Sequence, residues 1–205
     1  VKNSGGSFVV NTKNGIEVRA DVLLNCAGAW GDWIAKVFDE IVPIEPQGPQ
    51  VGVTEAIPKF INTVLSIRGG HIYLRQTDRG NVIFGGEPQG PASAETLRAK
   101  SLPQSTLVHR KRLIRFIPAL RDVHIIRTWS GIEGYLPDSI PIIGPSMTTE
   151  GLFHAFGFCG HGFQLGPAVG AVMAELIAKG KTDTPIADFT IERFNAKKQI
   201  PLDNS

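Results

Sequence analysis

Between Gly157 and Pro167 the chain reads Gly-Phe-Cys-Gly-His-Gly-Phe-Gln-Leu-Gly-Pro. Each glycine in a helix interior costs roughly 1 kcal/mol relative to alanine, so this density predicts a loop. The apolar run Leu152 to Phe156 before it reads as a strand, and Val169 to Ala178 after it as a helix. A glycine-dense turn between strand and helix lets the backbone approach something flat or anionic. It also presents the first free N–H groups of the helix to that partner. Pro167 suits a helix start, where its missing N–H is not needed. The glycines alone also fit a simple anion-binding or packing turn, and His161 alone fits a hydrogen-bonded structural residue.

A second strand–turn–helix pattern lies near the other end. Val22-Leu23-Leu24 reads as a short buried strand, Cys26-Ala27-Gly28-Ala29 as a small-residue turn, and Trp30 to about Phe38 as a helix. This order is that of a dinucleotide-fold crossover. The turn either permits tight packing or lets Ala27 and Gly28 approach a cofactor, with Trp30 beside it or filling core. Ahead of it, Phe8-Val9-Val10 and Ile16 to Ala20 flank Asn14-Gly15, a type I′ hairpin signal.

The middle of the chain is strand-rich. Three prolines between Pro43 and Glu55 forbid helix. Val51-Gly52-Val53 is placed to pair with Val64 to Ile67, and His71 to Arg75 with Asn81 to Gly85 as a hairpin. Ser93 is expected to cap a helical region, interrupted near Pro103, that runs to about Arg115 with Leu107, Leu113, Phe116 and Ile117 as its stripe. Its basic cluster, His109 to Arg112 with Arg115, reads as a solvated helix face. His124 to Trp129 and Ile140 to Ile143 are extended around a loop carrying Glu133, Tyr135 and the corner Pro137-Asp138. The last helix repeats apolar residues from Leu165 to Ile177 and stops at Gly180.

The fold expected is α+β with α/β character: residues 1–41 and 145–196 form one unit, the mixed sheet of 42–144 another, and 197–205 a polar tail. The expected place for a site in such an arrangement is a cleft. The net charge of +2 across 205 residues argues against nucleic acid or an anionic membrane. Cys26 and Cys159 lack metal-like or CxxC spacing, so neither a zinc site nor a disulfide framework is expected. With a polar start and no apolar stretch long enough to span a bilayer, the expectation is a cytoplasmic protein without a membrane span.

Three segments together resemble the FAD-dependent glycine/D-amino-acid oxidase family, which includes sarcosine oxidase and D-amino-acid dehydrogenases. They are Asn25 to Trp30, Leu136-Pro137-Asp138 through Ile143-Gly144, and Gly157 to Pro167, in the family's order. The resemblance covers nearly the whole chain but only the C-terminal part of the family. It implies the C-terminal portions of an FAD-binding Rossmann-like domain plus a mixed-sheet substrate domain, and oxidation of an amine or amino-acid C–N bond by hydride transfer to flavin. It places Ala27, Gly28, Trp30, Gly157, Gly160, His161, Gly162, Phe163 and Gln164 along FAD. His71, Tyr73, Glu133, Tyr135 and Gln164 then face the substrate. No obligatory catalytic base stands out.

Departures from the family sharpen these expectations. Gly131 stands where some sarcosine oxidases carry the cysteine that holds flavin, so FAD is expected to be non-covalent. Gln164 replaces a carboxylate-binding lysine. Glu133 aligns with a glycine oxidase arginine, which suggests a substrate with a cationic group; the other reading is a shifted loop with Glu133 merely exposed. No G-x-G-x-x-G occurs, so the pyrophosphate cradle is missing. The chain alone is therefore expected not to retain FAD, to need an N-terminal half or partner subunit, to be inactive by itself and to self-associate. The alternative is a non-catalytic module, or a subunit that completes a flavin site with a partner chain.

Overall fold

Asn14-Gly15 does turn the chain between two strands. The computed structural model describes residues 1–67 and 71–195; the tail expected from Lys197 lies outside them. Two units result, Val1–Glu45 with Gly134–Ser205, and Pro46–Glu133. The seams fall at 45/46 and 133/134, against 41/42 and 144/145 in the sequence reading.

In the first unit β1 (Lys2–Ser4), β2 (Ser7–Asn11) and β3 (Glu17–Ala20) form an antiparallel sheet. The β2–β3 turn closes with the Gly15 N–H on the Thr12 carbonyl at 3.0 Å. Gly15 has φ 84° and Asn14 is not in the positive-φ region, so this is a bulged turn with one glycine rather than type I′. β4 (Leu23–Asn25) passes through a 3-10 turn, Gly28–Trp30, into α1 (Gly31–Val37).

The second unit begins with the long β5 (Glu45–Ala56), followed by β6 (Leu65–Ser66), β7 (Tyr73–Gln76) and β8 (Asn81–Gly90). The expected β5–β6 pairing is not formed. β5 lies between β8 and β11 (Ile125–Ser130), and β6 pairs with β7. The long β8 supplies a far longer ladder to β5 than two-residue β6 can. Apolar residues of one sheet face, Ile72, Leu74, Val82 and Phe84, make the core with Leu113, Leu120 and Val123.

The helix expected from Ser93 is also corrected. β9 (Ala92–Ser93) and β10 (Arg98–Ala99) form a small hairpin, in which Ser93 Oγ accepts the Thr96 N–H at 3.2 Å. Serine favours such local turns over helix interiors. α2 (Pro103–Phe116) starts at Pro103 instead of being interrupted there, because the first helical position needs no N–H. Its buried stripe is Ser105, His109 and Leu113, while Leu107 is 60% exposed.

The basic cluster is more than a solvated face. Arg110 donates to the carbonyls of Val123 and Arg121, both at 2.6 Å. Arg112 donates to those of His71 and Glu87. Burial pushes His109 below the ordinary histidine range, against the pull of the carbonyls of Gly86, Pro88 and Glu87.

The chain reaches the first unit again at β12 (Glu133–Tyr135), then β13 (Ile142–Pro145), β14 (Leu152–Phe156), α3 (Gly162–Lys179) and α4 (Glu192–Asn195). β14 runs antiparallel to β13 and parallel to β4, giving the order β13-β14-β4. β4 is an edge strand, so Val22 and Leu24 are 40% and 38% exposed rather than buried as expected. α3 packs Met173 and Leu176 on Ile143 and Ala155, and Gly180 ends it in the left-handed region. Pro167 lies inside α3 rather than at its start. The Phe163 carbonyl it leaves without a helical donor is on an exposed face that water reaches. Among the described residues, no helix is long and apolar enough to cross a membrane.

Candidate functional site

The parallel β4–β14 pair, with Leu152 opposite Leu23 and His154 opposite Asn25, brings two distant turns side by side. Both strands end at the same edge, and in open α/β sheets ligands bind beyond the carboxyl ends of such strands. From this end an apolar cleft of about 490 Å³ runs along the edge of β4, lined by Leu24, Cys26 and Gly28 on one side. Phe158, Gly166, Val169 and Met173 line the other.

The third motif joins them. A Cβ on Gly134 would stand 2.9 Å from Ala29 Cα, and one on Gly157 would stand 2.5 Å from Leu136 Cδ1. The Leu136 N–H also donates to Cys159 Sγ at 3.3 Å. Backbone therefore rests on backbone or side chain only because these positions are glycine. Asp138 serves structure: burial pushes its carboxyl up, but Arg193 Nε at 2.7 Å and the Ile140 N–H hold it below the usual range. This bears out the turn reading of Pro137-Asp138.

At the cleft the glycines face open space. A Cβ at Gly28, Gly166 or Gly170 would meet nothing within 4 Å. The other residues expected along the cofactor do not line this cleft: Ala27, Trp30 and Gly162 are half-buried, and Gly160, His161, Phe163 and Gln164 are exposed. Phe163 is 101% exposed, the barest large apolar side chain here. His161 caps α3 through its backbone without a side-chain hydrogen bond. The first amides of an α-helix have no intrahelical acceptor and carry the positive end of its dipole. Cys26 is an exposed thiol whose partial burial pushes it up, away from thiolate character.

His71, Tyr73 and Glu133 lie in the second unit. Register puts Tyr73, Gly85, Val51 and Trp129 in one row across the sheet face opposite the core. A Cβ on Gly85 would stand 2.5 Å from the Tyr73 hydroxyl, so the phenol lies across a glycine gap. Burial, then the negative charge of Glu133, push Tyr73 above its ordinary range and keep it a proton donor. His71 is exposed and gives its carbonyl to Arg112 at 2.9 Å. Tyr135, in the first unit, packs on Leu136 and its apolar cluster.

One group escaped the sequence reading. Asn25, Glu40 and His154 are joined below the Ala27 turn, with His154 Nε2 2.8 Å from Glu40 Oε2 and Nδ1 3.2 Å from Asn25 Nδ2. A histidine within the apolar run Leu152 to Phe156 was its available signal. Nothing in the sequence marked Glu40, whose position depends on how α1 ends.

Parallel strands that each pass through a small-residue turn into a helix, with Gly28 lining an apolar cleft, define an α/β protein of the dinucleotide-fold kind. A family model of FAD dependent oxidoreductases matches residues 1–176, and the chain belongs to that family of enzymes. The sarcosine oxidase beta subunit of Rhizobium meliloti (strain 1021) is 31% identical over 194 residues, covering 94% of this chain and 45% of that protein. The crystal structure of L-proline dehydrogenase from P. horikoshii has a TM-score of 0.83 at 33% identity, covering 92% of this chain and 50% of that one. Glycine oxidase from Geobacillus kaustophilus shares the fold, with a TM-score of 0.81 at 20% identity over 91% of this chain and 49% of that one. The chain thus spans about half the length of the relatives it matches.

Proposed function

We propose that this chain supplies the ring-facing part of a flavoenzyme that oxidises the C–N bond of an amino acid, with a secondary amine as the preferred class. The observation that carries this reading is the close contact of three motifs, Gly134 against Ala29 and Gly157 against Leu136, next to an apolar cleft that Gly28 and Phe158 line. Two relatives above 30% identity are named for sarcosine and L-proline, both secondary amino acids.

The residues fit a non-covalently held FAD. Gly28 and Gly166 leave room that a Cβ would take, Phe158 and Val169 offer apolar wall, and the first amides of α3 suit negative charge. When bound, FAD supplies the hydride acceptor. The chain's own residues exclude water with Phe158 and Met173 and present N–H donors from Gly162 onward. In the second unit His71, Tyr73 and Glu133 supply polar groups for a substrate; in the first unit Tyr135 and Gln164 do. Tyr73, kept protonated, is a hydrogen-bond donor for a carboxylate. Glu133 is the acceptor for a cationic amine.

Two relatives are named as single subunits of sarcosine oxidase and of opine oxidase. That supports assembly with a further chain as partner. FAD in excess is expected to shift the amide NMR resonances of Ala27 to Trp30 and Gly160 to Gln164. If FAD binds and both segments stay unmoved, the cofactor placement is wrong. With flavin bound, whether in the protein alone or in its assembly, anaerobic sarcosine or L-proline is expected to bleach the visible flavin band. Bleaching by neither, nor by primary amino acids, sinks the C–N reading.

A further inference from the structure

Asn25, His154 and Glu40 are 1%, 0% and 0% exposed, and the chemistry proposed above uses none of them. A carboxylate withdrawn from water persists only if its oxygens are hydrogen-bonded. Glu40 accepts the Met147 N–H at 2.8 Å, the Ser146 hydroxyl at 2.9 Å and His154 Nε2 at 2.8 Å. Burial pushes its carboxyl up, but these donors outweigh that and hold it below the usual range.

The proton order then follows from chemistry. An ionised carboxylate only accepts, so His154 Nε2 carries a proton. At the other end the Ala27 N–H needs an acceptor and finds Asn25 Oδ1 at 3.2 Å. The Gly31 carbonyl needs a donor and finds Asn25 Nδ2 at 2.8 Å. Those two contacts fix the amide orientation, so its nitrogen also faces His154 Nδ1, which must accept. Parallel pairing of β4 and β14 sets Asn25 and His154 directly opposite each other. Every donor meets an acceptor along Glu40, His154, Asn25 and the turn. Reversing any one of them reverses the next.

We propose that Glu40 and His154 are positioning residues: Glu40 selects the histidine tautomer, the tautomer selects the Asn25 amide orientation, and that amide holds the Ala27–Gly31 turn. Their importance for cofactor binding rests on the proposed function; their control of the turn does not. Neutral His154 suffices throughout.

The test is NMR on the whole chain, reading the His154 tautomer from ring nitrogen shifts and the turn from hydrogen exchange at the Ala27 amide. The wild type is expected to hold the Nε2–H form. Glu40→Gln, nearly isosteric, is expected to populate the Nδ1–H form and speed Ala27 exchange by about tenfold, the loss of one buried hydrogen bond. Adding Asn25→Asp gives the Nδ1–H ring an acceptor and keeps one for the Ala27 N–H, while the Gly31 carbonyl loses its side-chain donor; it is expected to return Ala27 protection part of the way toward the wild type. A part that merely filled space would keep its tautomer in Glu40→Gln, and the second substitution would bring no rescue.

An Nδ1–H wild type, or a folded Glu40→Gln with unchanged exchange, overturns the proposal. If Glu40→Gln does not fold, the wild-type tautomer and Asn25→Asp alone decide. The introduced carboxylate is expected to add a second proton to His154, and a still singly protonated ring overturns the relay. FAD-induced shifts at Ala27 to Trp30 are read separately. Their absence beside an intact relay counts against the cofactor placement alone.

Discussion

Gly157 has φ 73° and no room for a Cβ, with Leu136 Cδ1 at 2.5 Å from where it would stand. Gly157→Ala therefore meets backbone strain and overpacking together, each worth about 1–3 kcal/mol. A fall in the urea unfolding midpoint is expected, and an unchanged midpoint would refute the contact. Glu40 makes a different prediction. Its carboxyl titrates lower in the fold than in the unfolded chain, where glutamate lies near about 4.3. The unfolded state thus binds the proton first. The contribution to stability is full above that unfolded value and is lost as pH falls through the folded one. Urea midpoints measured from neutral to acid pH are expected to drop less steeply in Glu40→Gln than in the wild type. Parallel slopes would count against the shift. The glycines at residues 157 and 160 were legible in the sequence because composition alone marks them. Glu40 was not, because a lone glutamate in a loop looks solvated until the partners from β14 and the turn after β13 are known.

α2 shows how an element can depend on a side chain far along the chain. Its N-cap residue Leu102 offers no side-chain cap. Gln50 of β5, 1% exposed, takes that role: its Oε1 accepts the Leu102 N–H at 2.7 Å and its Nε2 donates to Thr106 Oγ1 at 2.6 Å. Gln50→Leu is expected to destabilise the chain by about 1–3 kcal/mol, the range for buried polar groups left without partners. Thermal unfolding checks it, and a loss indistinguishable from zero would mean that water replaces the amide. The helical period of α3 and the alternation of β7 and β8 were readable because each buries one face. The helix expected from Ser93 was wrong because its polar residues fit a turn as well as a helix. Only the neighbouring strands choose between the two.

For the whole molecule, the edge of β4, with Leu24 38% exposed, and Trp33, Val37 and Phe163 at 48%, 53% and 101% leave apolar surface bare in the first unit. Unpaired strand edges and apolar patches promote association. The chain is expected to self-associate at high concentration, with light scattering as the check; a strict monomer there would refute it. The sequence by itself determined the family, through Asn25 to Trp30, Leu136 to Gly144 and Gly157 to Pro167. Small-residue turns are written locally, in residue types that serve few other purposes. Tertiary structure alone decided that these turns touch one another, that the basic face of α2 grips carbonyls, and that Glu40 reaches the turn through His154. Those facts depend on contacts between separate elements, at the extreme the link from Glu40 to His154 across 114 positions, and leave no local pattern.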